Sequence, residues 1–171
     1  MIIENSPVNA GNFIYCPVYF GPNETYVYLN GGDGHHHQYT YVVDGQAEVK
    51  MSLTPDGEPV YFNNSDSSSA LFNHEQYKGM YHTITTTNRS LSIINFNPIP
   101  ETRQLDVEIL KGPLTQQVVA NDKRITIVCI TGPITANDKT LASLQYAKLF
   151  PGKTAELTLS ESSVVALVSD N

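Results

Sequence analysis

Gly31-Gly32-Asp33-Gly34-His35-His36-His37-Gln38-Tyr39-Thr40-Tyr41-Val42-Val43-Asp44-Gly45 carries the reading of the chain. A glycine-rich turn delivers three of the protein's five histidines in a row. The run that follows, Gln38 to Val43, is aromatic and β-branched, which is the composition of a strand. Alternation puts Gln38, Thr40 and Val42 on one face and Tyr39, Tyr41 and Val43 on the other. Asp44-Gly45 predicts a tight hairpin turn. Imidazole is the commonest metal ligand and titrates near neutrality. Neighbouring strand residues face opposite ways, so His36 and His37 point inward together only if the backbone kinks. The glycines at 31, 32 and 34 permit such a kink.

The same strand-and-turn rhythm extends in both directions. Strands are expected at Phe13 to Phe20, Thr25 to Leu29, Ala47 to Leu53 and Val60 to Phe62. Pro17 marks the first of these as an edge or a bulge. Asn63 to Ser69 reads as a serine-rich loop, and His74 to Gly79 as irregular. Tyr81 to Thr87 and Leu91 to Phe96 read as a strand pair joined at Asn88-Arg89, and Asn97-Pro98-Ile99-Pro100 as a linker. Beyond it, strands are expected at Leu105 to Leu110, Arg124 to Ile130, Leu141 to Phe150, Thr154 to Leu159 and Val164 to Val168. The expected class is all-β, as two packed antiparallel sheets or a closed barrel.

Composition excludes several functions. A formal charge of −7 argues against a nucleic-acid backbone as partner, which needs a basic surface. No apolar run reaches the roughly 18 residues of a membrane span. The start of the chain shows no basic segment followed by an apolar core. The expectation is a soluble, cytoplasmic protein with no membrane and no nucleic-acid partner. Cys16 and Cys129 sit in separate apolar runs and read as buried free thiols. Serine-nucleophile elbows, phosphate loops and paired CxxC motifs are missing from the sequence.

The chain also matches itself. Gly79 to Ile94 aligns without a gap to Gly152 to Leu167, setting Leu91 to Ile94 against Val164 to Leu167. Tyr39 to Gly45 aligns to Thr126 to Gly132. His82 then meets Ala155, and the histidine run meets Asp122-Lys123-Arg124. The second copy keeps the strands and loses every histidine, which is the pattern of a site built once on a duplicated unit.

On these residues the chain resembles a cupin. The family carries Gly-x5-His-x-His-x(2–4)-Glu-x6-Gly and later Pro-x-Gly-x2-His-x3-Asn. Gly45 sets the register, which puts Gln38 at the family's glutamate, His35 at its second histidine and Asp33 at its first. His37 falls where many cupins carry a further histidine. Gly79-Met80-Tyr81-His82 matches the second motif, with Lys78 in place of the usual lead and Asn88 later than the pattern asks.

The resemblance implies a double-stranded β-helix, or jelly roll, in two tandem units. Residues 1–98 carry the histidine site, and 99–171 form a degenerate, cupin-like second unit. It implies a metal set drawn from Asp33, His35, His37, Gln38 and His82, around iron, manganese, zinc or nickel. The implied function is a metal-binding cupin acting on a small organic molecule by dioxygenase- or isomerase-type chemistry. The alternatives are a non-catalytic cupin that binds a sugar or carboxylate, and a metal-free sugar-nucleotide isomerase. A small-molecule ligand and a homodimer are the expected partners.

Overall fold

The computed structural model describes residues 2–4, 6–29, 35–66, 71–77 and 80–170, with side chains over 6–27, 37–59 and 80–169. The chain divides into two compact units, Met1–Arg103 and Gln104–Asn171. Every regular element among the described residues is a strand, and none is a helix able to cross a membrane.

Unit 1 contains β1 (Ile2–Glu4), β2 (Val8–Asn9), β3 (Phe13–Phe20), β4 (Thr25–Leu29), β5 (His35–Asp44), β6 (Gln46–Ser52), β7 (Pro59–Asp66), β8 (Leu71–Tyr77), β9 (Tyr81–Thr86) and β10 (Leu91–Pro98). One sheet runs β1-β3-β10-β5-β8, with β2 also on β3, and the other runs β4-β9-β6-β7. Unit 2 contains β11 (Leu105–Lys111), β12 (Leu114–Ala120), β13 (Ile125–Thr131), β14 (Ile134–Ala136), β15 (Lys139–Leu141), β16 (Tyr146–Leu149), β17 (Lys153–Leu159) and β18 (Val164–Asp170). Its sheets run β11-β18-β13-β16 and β12-β17-β14-β15. Counting from β3 in unit 1 and from β11 in unit 2, the strand orders are identical: first-eighth-third-sixth and second-seventh-fourth-fifth. Eight strands in two antiparallel sheets make a jelly-roll architecture.

Several expectations change. Asp44-Gly45 is not a hairpin turn, because β5 and β6 belong to different sheets. Gly45 has φ +97°, and the chain uses it to turn a corner between sheets. Asn88-Arg89 is the matching corner, so β9 and β10 are not a pair either. The two corners touch. A Cβ at Gly45 would lie 2.2 Å from the Ser90 carbonyl oxygen, and Arg89 Nη2 meets Asp44 Oδ1 at 3.1 Å.

Residues 63–66, expected as loop, continue β7, and residues 74–77, expected as irregular, complete β8. Their polar composition hid them; 67–69, 78 and 79 lie outside the described residues. The stretch expected as one strand over 141–150 is the end of β15 and all of β16, in different sheets. Short β1, β2 and β14 and the threonine- and glutamine-bearing β12 gave no strand signal. Residues 97–100 are not a free linker. β10 runs through Pro98, and His37 N–H donates to the Glu101 carbonyl at 2.9 Å, so the chain still runs beside β5. The division between units therefore falls after Arg103 rather than at 98.

Pro17 sits inside β3 and pairs with Ile94 of β10. On the other side β1 covers Val18 to Phe20 and β2 covers Ile14 and Tyr15, which leaves a gap between them. A proline is tolerated where its missing N–H faces such a gap.

Pairing register superposes the two units without using sequence. In β5 the ladder with β10 skips Val43, between Ser92↔Asp44 and Ile93↔Val42. In β13 the ladder with β18 skips Ile130, between Thr131↔Val164 and Cys129↔Val165. The same bulge thus precedes Gly45 and Gly132. It sets Ile93 with Val165 and Asn95 with Leu167. The gapless sequence match is one residue out in the last strand, and a one-residue slip exchanges the two faces of a strand.

Candidate functional site

The interior of unit 1 is layered. Nearest the corners, Phe20, Leu91 and Ala47 join Val18, Val42, Val49, Ile84 and Ile93 in one apolar cluster, with Tyr26 and Cys16 against it. Moving two residues farther along each strand advances about 6.6 Å. The next inward positions are Cys16 on β3, Thr40 on β5, Met51 on β6, His82 on β9 and Asn95 on β10. This layer is polar. Thr40 Oγ1 donates to Asn95 Oδ1 at 2.7 Å, and His82 is only 2% exposed. One step farther, Gln38 and Asn97 share the face of Thr40 and Asn95.

Asn95, Asn97, Gln38, Ile14 and Cys16 are half-buried although they face the opposite sheet. The inward face of unit 1 is therefore more accessible at this end than in the apolar cluster nearest the corners. Among the described side chains that face inward there is no Asp, Glu, Lys or Arg. Tyr26 turns its ring against Phe20, centroids 5.1 Å apart, and donates its hydroxyl to Glu24.

The expected ligands distribute unevenly. His82 lies inside, paired with Met51 of β6. Gln38 is on the inward face of β5. His37 is on the other face, its ring stacked on Tyr39 at 6.3 Å, so it does not share a cavity with His82. Asp33 lies outside the described residues. His35 is the first residue of β5, and its side chain lies outside them. The ladder of β5 with β8 is unbroken from His35↔Tyr77 through Gln38↔His74 to Tyr41↔Leu71. Positions 36, 38 and 74 therefore share the parity of Thr40, while 35 shares that of His37. Among the described residues no three His, Cys, Asp or Glu side chains stand close enough to hold a metal. His82 and the Gln38 amide suit a divalent ion chemically, but alone they do not complete a set.

At the equivalent positions unit 2 replaces Thr40, Asn95 and His82 with Ile127, Leu167 and Ala155, all in its apolar core. Ala155 pairs with Val118 as His82 pairs with Tyr28. Unit 2 nevertheless keeps a cleft of about 430 Å³, lined by Asp106, Glu108, Gln116, Ile125, Leu167 and Ser169. Asp106 and Glu108 sit where unit 1 has Ile14 and Cys16. Sequence reasoning missed this acidic mouth because the faces of β11 are legible only once its partner is known. Both cysteines are free. Cys129 is buried, and burial raises its thiol pKa above the ordinary value.

No protein-family model and no curated protein matches the chain. Solved structures do. YhhW from Escherichia coli aligns over 99% of this chain and 97% of its own, with TM-score 0.65 and 11% identity. YhaK from Escherichia coli aligns over 99% and 92%, with TM-score 0.63 and 12% identity. Oxalate decarboxylase OxdC of Bacillus subtilis, a protein with Mn(II) centres, aligns over 94% of this chain and 69% of its own, with TM-score 0.61 and 6% identity. The chain has the cupin fold. At these identities the likeness speaks for the fold, and the cupin site must be argued from the chain's own residues.

Proposed function

We propose that the protein is a tandem cupin whose first unit holds a divalent metal and acts on a small organic molecule, the second unit being a copy without that site. The observation that carries this reading is His82: a buried imidazole on an inward face, in the layer of Thr40 and Asn95, where the equivalent strand of unit 2 carries Ala155. A histidine needed only for packing would not be confined to the one unit with a polar interior. His82 is the anchor of the proposed metal set. Its partners would come from β5 and β8, where the backbone register puts positions 36 and 74 on the parity of Thr40 and position 35 on the other, with Asp33 kept as the sequence candidate. A metal there would supply Lewis-acid polarisation of a ligand oxygen. The chain's own contribution, among the described residues, is an apolar floor, an amide-bearing wall and the buried imidazole of His82. These bind and orient a small ligand and exclude bulk water behind it.

A second reading is favoured by Gln38, which stands where the cupin pattern has a metal-ligating glutamate. It is a binding cupin that holds its ligand without metal or chemistry. Metal analysis of untagged protein separates the two. The first reading requires about one divalent ion per chain, lost in His82→Ala and unaffected by His37→Ala. Protein that takes up no divalent ion at micromolar concentration leaves the second reading standing.

A further inference from the structure

The wall opposite His82 has its own chemistry. Thr40 gives its only proton to Asn95 Oδ1. That bond fixes the amide's orientation, so Asn95 Nδ2 presents its two N–H donors away from Thr40. Asn95 is half-buried on the central strand β10 and shares the face of Ile93, so it lies toward the other sheet. Asn97 and Gln38 add two more primary amides one layer farther from the corners. With the metal removed, the described inward side chains include no Lys or Arg to neutralise an anion and no Asp or Glu to hold an ammonium. Burying an uncompensated charge is strongly unfavourable, whereas neutral oxygens satisfy amide donors without that penalty.

We propose that Asn95, positioned by Thr40, together with Asn97 and Gln38 forms a recognition wall on the inward face of unit 1 that selects a neutral, polyhydroxylated small molecule of the monosaccharide class over its charged analogues. Unit 2 supplies the contrast. The same register positions carry Ile127 and Leu167, both buried in a core of the same topology. The fold therefore does not require a polar pair there, and the Thr40–Asn95 bond serves something other than packing. The proposal depends on the reading above only in placing the ligand in unit 1. It does not depend on the metal.

The test uses chelator-treated, untagged full-length protein and titration calorimetry with D-glucose, D-galactose, D-fructose and myo-inositol, each set against D-glucuronate. At least one neutral probe should bind saturably, and D-glucuronate at least tenfold more weakly. The double variant Thr40→Ile/Asn95→Leu, which installs the pair found in unit 2, should lose at least tenfold in affinity. Asn95→Asp, which keeps the size of the side chain and removes its donors, should lose binding likewise and covers the case in which the double variant does not fold. Saturable binding of none of the neutral probes, D-glucuronate binding as tightly as D-glucose, or full affinity in Asn95→Asp would each overturn the proposal. Metal uptake measured on the same preparations reports separately on the metal reading, so either can fail without the other.

Discussion

Gly45→Ala isolates the contact that closes unit 1 at its corner. Gly45 has φ +97°, and a Cβ there would stand 2.2 Å from the Ser90 carbonyl oxygen and 2.9 Å from Leu91 Cα. Both obstacles are backbone, so no side chain can swing away, and relief requires moving the connection between β9 and β10. The left-handed backbone costs about 1–2 kcal/mol for a residue with a Cβ, and forced overpacking adds about 1–3 kcal/mol. The expected loss is about 2–5 kcal/mol by these terms. Gly152→Ala is the matched control. Its φ is +76°, but nothing lies within 4 Å of the added Cβ, so only the backbone term of about 1–2 kcal/mol applies. Urea denaturation followed by tyrosine fluorescence reads Gly45→Ala in unit 1, because of ten tyrosines only Tyr146 lies in unit 2, and circular dichroism reads the Gly152→Ala control in unit 2. Circular dichroism reports on both units, and disagreement between the probes would show them unfolding separately. A Gly45→Ala loss within about 0.5 kcal/mol of the Gly152→Ala loss would refute the close approach of the two corners.

Three other outcomes follow from the packing. Leu157→Ala, at a fully buried position of unit 2, should cost about 2–5 kcal/mol in the same denaturation assay, read by circular dichroism. Arg89→Ala should change the thermal midpoint negligibly, because its ion pair with Asp44 is about two-thirds exposed on both sides and such pairs contribute about 0–1 kcal/mol. Cys129 should resist a thiol reagent at neutral pH in the native protein. Its folded pKa lies above the ordinary value of 9.0, so the native state retains the proton where the unfolded chain releases it. Its contribution to stability is therefore constant below about pH 9 and falls as pH rises beyond it. Cys129→Ala should flatten that alkaline decline in a pH series of urea midpoints.

The strands that alternate strongly were legible from residues alone. β3 and β4 carry apolar and aromatic runs whose ends are marked by Gly21-Pro22-Asn23, and their bounds match the expected ones. β7 and β8 were not, because Asn63, Asn64, Ser65, His74 and Glu75 have loop-like composition and become strand only through pairing with β6 and β5. Gly45 shows a different limit. Its need for a positive φ is local and readable, whereas the choice between a hairpin and a sheet-to-sheet corner depends on partners more than 40 residues away, at Ser90 and Leu91.

The same limit applies to the site. His82 announces itself as a histidine in a strand whose counterpart has Ala155. Asn95 does not, because only the register of β10 against β5 shows that it shares an interior layer with Thr40. His37 was singled out by motif spacing, and strand parity puts it on the face of Tyr39, away from that layer.

The most direct test of the account is an anomalous-scattering map, collected at the zinc edge, from crystals of untagged protein equilibrated with Zn²⁺. One peak per chain is expected in unit 1, about 2.0–2.1 Å from a ring nitrogen of His82, and none at the Ala155 position of unit 2. A map with no zinc at His82, or with zinc held only at His37 on the Tyr39 face of β5, would contradict it.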